Sequence, residues 1–414
     1  MTSGLHILVV SDVSPAHIGG GGERVLWEQA SRLVKLGHEV RILSRSPADE
    51  AKERVERQGV RIRHFHSDQR SLLRFVRSSI LQSRRTAAQE LDEAGADVLH
   101  LHQPLSGYGV LHSPPGRRIP SLYTFHSPAP LEYRLRRGMT GHHRGGWTGS
   151  LAMAVLWLIE GTCLRRATRI HVLSDFSTGL LWKLYRIPSR RIVKIPGGAD
   201  TDRFQPAEDR TAIRNNLGFA TGRPLLFTLR NLEARMGLDT LIQSMAILRR
   251  QAPQTLLLIG GAGSLRNDLE SLTASLDLNE HVRFLGFVPD EHLPLYYQAA
   301  DFFILPTREL EGFGLVTVEA LACGTPVLGT PVGGTPEILR PLRSDLLFSG
   351  MEPDALAHLI LEHHNRFCSD PTGYQDLRLS CRRHALERYA WPPLVKSLEQ
   401  VFREVTAARF PPDP

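Results

Sequence analysis

Thr307-Arg-Glu-Leu-Glu-Gly-Phe-Gly-Leu-Val-Thr-Val-Glu319 follows a short apolar run, Asp301 to Leu305, and leads into Ala320-Leu-Ala-Cys-Gly-Thr-Pro-Val327. The run has the length and side chains of a buried strand, the glycines at 312 and 314 make a turn, and Leu315 opens a helix. Strand, glycine-spaced loop and helix, with a further strand at Pro326 to Gly329, form one unit of a parallel sheet. Upstream, Leu225 to Leu229, Thr255 to Ile259 and Val282 to Leu285 continue the alternation. A turn-rich segment from Gly197-Gly-Ala-Asp200 to Pro206 separates these from an earlier set. That set comprises His6 to Val10, Glu39 to Leu43, Val60 to Phe65, Val98 to Leu101, Ser121 to Phe125 and Arg169 to Leu173. Between its first two runs, Val25, Leu26, Ala30, Leu33 and Val34 recur at helical spacing until Gly37. The sequence thus predicts two doubly wound α/β domains, 1–196 and 197–390. Trp391 to Phe410 is helical in pattern, and the segment 391–414 is expected to pack its apolar face back onto the first domain.

Composition fits this reading. With 414 residues, 42% hydrophobic and 22% charged, the chain can bury two cores, and no long biased stretch suggests disorder. No repeat with a period of about 20–50 residues is visible, which sets solenoids and propellers aside. Lys and Arg number 50 against 43 Asp and Glu, a formal charge of +7 that suits anionic ligands, phosphates or an acidic membrane surface. Aromatic residues at 7% and the lack of a reader motif argue against nucleic acid. Cys163, Cys323, Cys368 and Cys381 have neither zinc-site nor disulfide-framework spacing, so a reducing compartment is expected. Met1 to Val10 lacks a basic leader region, and the most apolar stretch, Leu151 to Ile159, falls short of the ~20 residues that span a bilayer. The expectation is a cytoplasmic protein.

Glu311 and Glu319 flank the glycine turn, so one acid sits in the loop, one a turn into the helix, and both can face one crevice. The N–H groups of Phe313, Gly314, Leu315 and Val316 at the helix start favour a phosphate, and Gly314 permits close approach. Glu319 can accept from both hydroxyls of a diol such as a ribose. In Leu229-Arg-Asn-Leu-Glu-Ala-Arg-Met-Gly237 a strand ends in Arg230, with Arg235 five residues on, two cations suited to a diphosphate. Gly19-Gly-Gly-Gly-Glu-Arg24 opens a helix in the first domain, either as a flexible turn or to bring backbone close to a ligand. It lacks the GxGxxG spacing, as does Gly261-Ala-Gly-Ser-Leu-Arg266, which disfavours a dehydrogenase. Tyr123-Thr-Phe-His126 places a histidine at a strand end. His100 and His102 alternate on another strand and read as structural or cleft-lining rather than metal-binding, no carboxylate lying near them in sequence.

The series Glu311-Gly-Phe-Gly-Leu-Val-Thr-Val-Glu319, Ala320-Leu-Ala-Cys-Gly-Thr-Pro-Val327 and Gly333-Gly-Thr-Pro-Glu337 resembles the donor site of family 4 retaining glycosyltransferases. The resemblance runs from the glycine loop at Gly19 to the helix near Trp391. It implies a GT-B fold, two Rossmann-like domains facing across a cleft, with a nucleotide-sugar donor held mainly by the second. It further implies Glu319 on the ribose, Glu311 on the transferred sugar, and the backbone of Gly312, Phe313, Gly314, Leu315 and Val316 around sugar and diphosphate. Arg230 and Arg235 would stabilise the leaving diphosphate; Arg235 departs from the lysine most family members carry. Gly21 and Gly22 match the family's glycine-rich loop, and His126 the histidine that approaches an outer sugar hydroxyl. The resemblance favours front-face attack, in which a phosphate oxygen helps take the acceptor's proton, with no metal or cofactor.

The acceptor is expected to be a saccharide, lipid-linked or on the cell surface, with a small natural product as the alternative. Rival readings are a sugar-nucleotide epimerase or hydrolase and a silent nucleotide-sugar-binding protein. Arg70 to Arg85 places Leu72, Phe75, Val76 and Ile80 on one face and arginines mostly elsewhere, either a packed helix or one lying peripherally on an anionic inner-membrane surface. Arg134 to Arg144 is a basic loop that either borders the cleft or is mobile.

Overall fold

The structure, a computed structural model, describes residues 4–15, 20–46, 54–136 and 147–407. Two compact units emerge, Met1–Pro196 together with Trp391–Pro414, and Gly197–Ala390. The first runs β1 (His6–Ser11), α1 (Gly21–Lys35), β2 (Glu39–Arg45), β3 (Arg54–Arg57), β4 (Val60–Phe65), α2 (Leu72–Ala94), β5 (Val98–Leu101) and α3 (Pro104–Leu111). It continues with β6 (Ser121–Phe125), α4 (Ala129–Arg136), α5 (Trp147–Arg166), β7 (Arg169–Val172), α6 (Asp175–Tyr185) and β8 (Ile192–Lys194). The second begins α7 (Arg210–Asn216), β9 (Leu225–Leu229), α8 (Leu238–Leu248), β10 (Leu256–Gly260), α9 (Arg266–Ser275), β11 (Val282–Gly286) and α10 (Leu293–Ala299). It ends β12 (Phe302–Leu305), α11 (Leu315–Ala322), β13 (Val327–Gly329), α12 (Thr335–Leu339), α13 (Pro353–Ser369) and α14 (Pro371–Tyr389), after which α15 (Trp391–Ala407) belongs to the first unit.

The first sheet has eight strands in the order β3-β4-β2-β1-β5-β6-β7-β8 and the second five in the order β11-β10-β9-β12-β13. Every described pairing between neighbours is parallel except β3 with β4. Inner strands are largely apolar because helices cover both faces, and in β10 Leu256, Leu257, Leu258 and Ile259 are all buried. Two strands escape the sequence reading. β3 carries one apolar residue, Val55, and is fixed by its hairpin, where Gln58 and Gly59 both take positive φ (51° and 76°) as a tight turn of matching twist requires. β8 is three residues at the sheet's edge, none fully buried.

Helices are held by their apolar faces and caps. In α15, Trp391, Val395, Leu398, Phe402 and Val405 recur every three or four residues and are buried, and the helix packs on α1, β5 and β6. Each such side chain contributes about 1.5–3 kcal/mol before entropy is set against it. α2 starts at Ser71, whose hydroxyl accepts from Arg74 N–H. Its expected lipid-facing side is largely spent inside the unit. Phe75, Val76 and Ile80, partly buried, pack against a cluster of Leu105, Leu156 and Ile159, as the packed-helix alternative expects of that face. Leu73, in the first turn of the helix, is exposed. Among the described residues no helix is long and apolar enough to cross a membrane.

Candidate active site

In open parallel sheets ligands bind beyond the carboxyl ends of the strands, where the strand order reverses. The second sheet reverses between β9 and β12. Arg230 is the residue after β9, and Thr307 and Glu311 follow β12, so adjacency of these strands brings together groups about 80 positions apart in sequence. Arg230 Nη2 donates to Glu311 Oε2 at 2.5 Å and to Thr307 Oγ1 at 2.9 Å, and Thr307 Oγ1 donates to the same carboxylate oxygen at 2.9 Å. Arg230 and Glu311 are only 9% and 8% exposed, while Thr307 is fully buried. Arg230 Nε is buried without a hydrogen-bond partner. An orphan donor on a buried cation is costly, and a ligand oxygen would satisfy it.

The loop around this pair is tightly built. Arg235 Nη1 donates to the Leu310 carbonyl at 3.3 Å, fixing the second cation against the loop that carries Glu311. Gly334 N–H donates to the Glu311 carbonyl at 2.8 Å, and at Gly333 (φ 61°) an added Cβ would overlap that carbonyl. Gly314 has φ 94° at the N-cap of α11, a conformation few other residues adopt at low cost. Thr317 N–H makes the first bond of the turn, to Gly314 O at 2.9 Å, so Leu315 and Val316 N–H lie ahead of it. Phe313 is buried against Tyr389, ring centroids 5.8 Å apart, which anchors Gly312 and Gly314 on either side. Glu319, one turn into α11, is buried and accepts from Tyr297 OH at 3.0 Å. No described hydrogen bond or ion pair joins it to Glu311.

The first sheet reverses between β1 and β5. Near that point Gly20 caps α1, Gly21 and Gly22 form its first turn, and a Cβ added to Gly22 would lie 3.9 Å from the ring of His126. Gly22 and His126, picked separately from the sequence, are therefore neighbours. His126 Nε2 and His102 Nδ1 are 3.0 Å apart. Burial first, then the nearby His171, pushes His126 down to about 4, so the ring is neutral at neutral pH. Gly19, where the glycine loop begins, and most of the Arg134 to Arg144 loop lie outside the described residues.

With both sites laid out, comparison with known proteins is direct. The family pattern described as Glycosyl transferases group 1 matches residues 209–370, and the pattern described as Glycosyltransferase Family 4 matches residues 19–203. The chain belongs to glycosyltransferase family 4. It is similar to a GDP-mannose-dependent alpha-(1-6)-phosphatidylinositol monomannoside mannosyltransferase of Mycolicibacterium smegmatis, 34% identical over 211 residues. That match covers 49% of this chain and 54% of the relative, so it spans about half the length of each. A D-inositol 3-phosphate glycosyltransferase of Thermobispora bispora is 28% identical over 403 residues, 93% of this chain and 90% of the relative. Among solved structures, sucrose-phosphate synthase from Thermosynechococcus elongatus superposes with a TM-score of 0.83 at 22% identity, covering 98% of this chain and all of that one. That likeness establishes the fold as GT-B.

In this family 4 chain several site residues carry no sequence signal. Thr307 and Tyr297 act as hydrogen-bond partners only because β9, β12 and α10 converge. Thr317 Oγ1 is buried in the first turn of α11 with no partner, 3.1 Å from where a Gly314 Cβ would fall. His171 in β7 carries no signal of its own in the sequence and is placed by the pairing of β6 with β7. The loop Gly261–Arg266, weighed as a dinucleotide motif, instead packs beside the Arg230 loop, with Leu232 N–H donating to Ala262 O at 2.9 Å.

Proposed function

We propose that this chain is a retaining, metal-independent glycosyltransferase moving a hexose from a UDP- or GDP-sugar, GDP-mannose first, to a hydroxyl of a saccharide or lipid-linked acceptor. The observation that carries the reading is the buried Arg230–Thr307–Glu311 cluster at the strand reversal of the second sheet, with an unpartnered Arg230 Nε. Such a cluster offers a fixed cation for a diphosphate and a carboxylate for sugar hydroxyls. Arg235 and the N–H groups of Leu315 and Val316 would add to the field around the leaving group. Glu319 would hold the ribose, and in the first unit Gly21, Gly22 and His126 would receive the sugar.

In this mechanism the bond from the anomeric carbon to the diphosphate oxygen breaks as the acceptor oxygen bonds to the same face. The acceptor's proton passes to a phosphate oxygen. Oε2 of Glu311 already accepts from two donors, which makes that carboxylate a weak nucleophile and supports front-face attack over a glycosyl-enzyme. The protein's part is positioning and charge stabilisation.

The donor choice rests on the mannosyltransferase relative, named as GDP-mannose-dependent. Both relatives' names place inositol in the substrate, which supports an inositol-bearing acceptor. The relative aligned over 93% of the chain favours a second reading, a soluble inositol phosphate in place of a glycolipid. Thermal-shift titration with GDP, UDP, ADP and TDP tests the donor. A nucleotide at about 100 times its Kd should stabilise by about 2.7 kcal/mol. Incubating the matching sugar nucleotide with lipid-presented and with soluble inositol acceptors, with and without EDTA, then separates the acceptors and tests metal independence. The anomeric configuration of the product tests retention. No stabilisation by any nucleotide would sink the proposal.

A further inference from the structure

From His126 a row of hydrogen bonds runs back through the first unit. His126 Nε2 meets His102 Nδ1 at 3.0 Å, and His102 Nε2 meets His100 Nδ1 at 3.3 Å. His100 Nε2 meets Thr124 Oγ1 at 2.7 Å, Thr124 Oγ1 meets His171 Nδ1 at 3.0 Å, and His171 Nε2 reaches the Ile195 carbonyl at 2.9 Å. The register of β5, β6 and β7 builds it, Thr124 standing opposite His171 across the β6–β7 pairing. His100, His102, Thr124 and His171 are at most 2% exposed, whereas His126 is only partly buried.

The chemistry of the last atom sets the direction of every bond. A carbonyl only accepts, so His171 donates from Nε2, and a neutral His171 then has a bare Nδ1. Thr124 has one hydroxyl hydrogen, and it goes to that Nδ1. His100 must therefore donate from Nε2 to Thr124, His102 from Nε2 to His100, and His126 from Nε2 to His102. A proton added to His100, His102 or His171 would set one N–H against another donor. Only Nδ1 of His126 can gain a proton without breaking the row. Burial, reinforced at His100, His102 and His126 by repulsion from neighbouring rings, holds all four below the ordinary imidazole value of 6.5, so the neutral arrangement prevails at neutral pH.

We propose that this row is a tautomer lock: it keeps the proton of His126 on Nε2, so that Nδ1 stands bare beside Gly22 and accepts the hydrogen of a substrate sugar hydroxyl. The assignment of the hydroxyl rests on the glycosyltransferase reading; the lock itself does not. His102, His100, Thr124 and His171 are then positioning residues acting through His126. Their effect is one of specificity, because a bare nitrogen selects a hydroxyl oriented as donor and rejects a group that can only accept.

Protein labelled with 15N at histidine, its imidazole signals assigned by single replacements, reports the tautomers in long-range 15N–1H spectra without substrate. The expected result is one tautomer at His126, protonated on Nε2. Thr124→Val removes the linking hydroxyl at similar shape. It should turn His100, His102 and His126 into tautomer mixtures and raise KM for the sugar donor several-fold with a smaller change in kcat, and Thr124→Ser should restore both. A proton on Nδ1 of His126 in the unaltered protein would overturn the lock, as would an unchanged spectrum in Thr124→Val. The unaltered protein alone decides the matter should Thr124→Val fail to fold. Since no substrate is present, the spectrum is independent of whether transfer occurs, and absence of transfer would count against the proposed function only.

Discussion

At the carboxyl edge of the five-stranded sheet Arg230 and Glu311 are buried as an ion pair 2.5 Å apart, while at the same edge of the eight-stranded sheet His100, His102 and His171 are buried without charge in a hydrogen-bonded row. Both arrangements pair polar side chains removed from water, but they respond differently to loss of a member. An ion pair leaves an uncompensated charge when one partner goes. A neutral row loses only direction, and it keeps that direction only while protons stay out.

The largest effect expected from breaking this contrast is at the ion pair. Arg230→Ala or Glu311→Ala should cost about 3–5 kcal/mol of stability and lower transfer by at least ~10²–10³. Urea melts and initial rates of nucleoside diphosphate release measure the two, and near-normal turnover would remove that residue from the mechanism. Acid should break the other side. His126 and His171 are depressed to about 4, and His100 and His102 lie well below 6.5. The unfolded chain therefore takes up protons that the folded row refuses. That stabilisation is complete above pH 6.5 and is lost as the pH falls toward about 4. Glu160, raised to about 7 by burial, works the opposite way, stabilising below its ordinary 4.5 and losing that contribution as the pH rises through 7. Melting temperatures should fall across this window on acidification, and Glu160→Gln should steepen the fall; a flat profile would contradict the neutral row.

How much of this was readable beforehand differs between the two edges. Apolar runs and glycine turns located most strands because parallel strands buried on both faces carry continuous hydrophobic sequence. β3 did not show itself, since Arg-Val-Glu-Arg at an edge pairs through its backbone alone. In the sequence Arg230 is an ionisable group at a strand end and Glu311 one in a glycine loop, each with its own task. That they hold each other depends on β9 lying beside β12, which no local pattern encodes. Likewise His100 and His102 were seen to share a face, whereas their link to His171 requires β5, β6 and β7 to be neighbours in register. Tyr297 as the partner of Glu319 follows from helix packing alone and had no signal.

Two glycines sharpen the comparison with smaller effects. Gly333→Ala puts a Cβ into the Glu311 carbonyl at a positive φ, so it should cost at least about 1–2 kcal/mol and lower activity roughly tenfold by shifting the carboxylate. Gly22→Ala meets the His126 ring at an ordinary 3.9 Å. The alanine should raise the melting temperature slightly, by up to about 0.5–1 kcal/mol of helix preference, and slow transfer several-fold by filling the space at the ring. The first substitution is expected to act on the fold and the second on transfer. Equal stability losses in both would erase that distinction.

The first unit is made from two separated stretches of chain, with the second inserted between Pro196 and Trp391. The ends of the insert are pinned together by Ala199 N–H on the Tyr389 carbonyl at 2.7 Å. On the ribosome this imposes an order of assembly. The inserted unit has all its residues before α15 has been made, and at about 5–20 residues per second it takes roughly 10–40 s to emerge. Throughout that interval the surfaces of α1, β5 and β6 that α15 will cover stand open, and His100 lacks the Phe402 ring that later packs 5.1 Å away. Biosynthesis therefore finishes the second unit first and seals the histidine row last, so a chain broken after Ala390 would release a complete second unit tethered to a first one that cannot close.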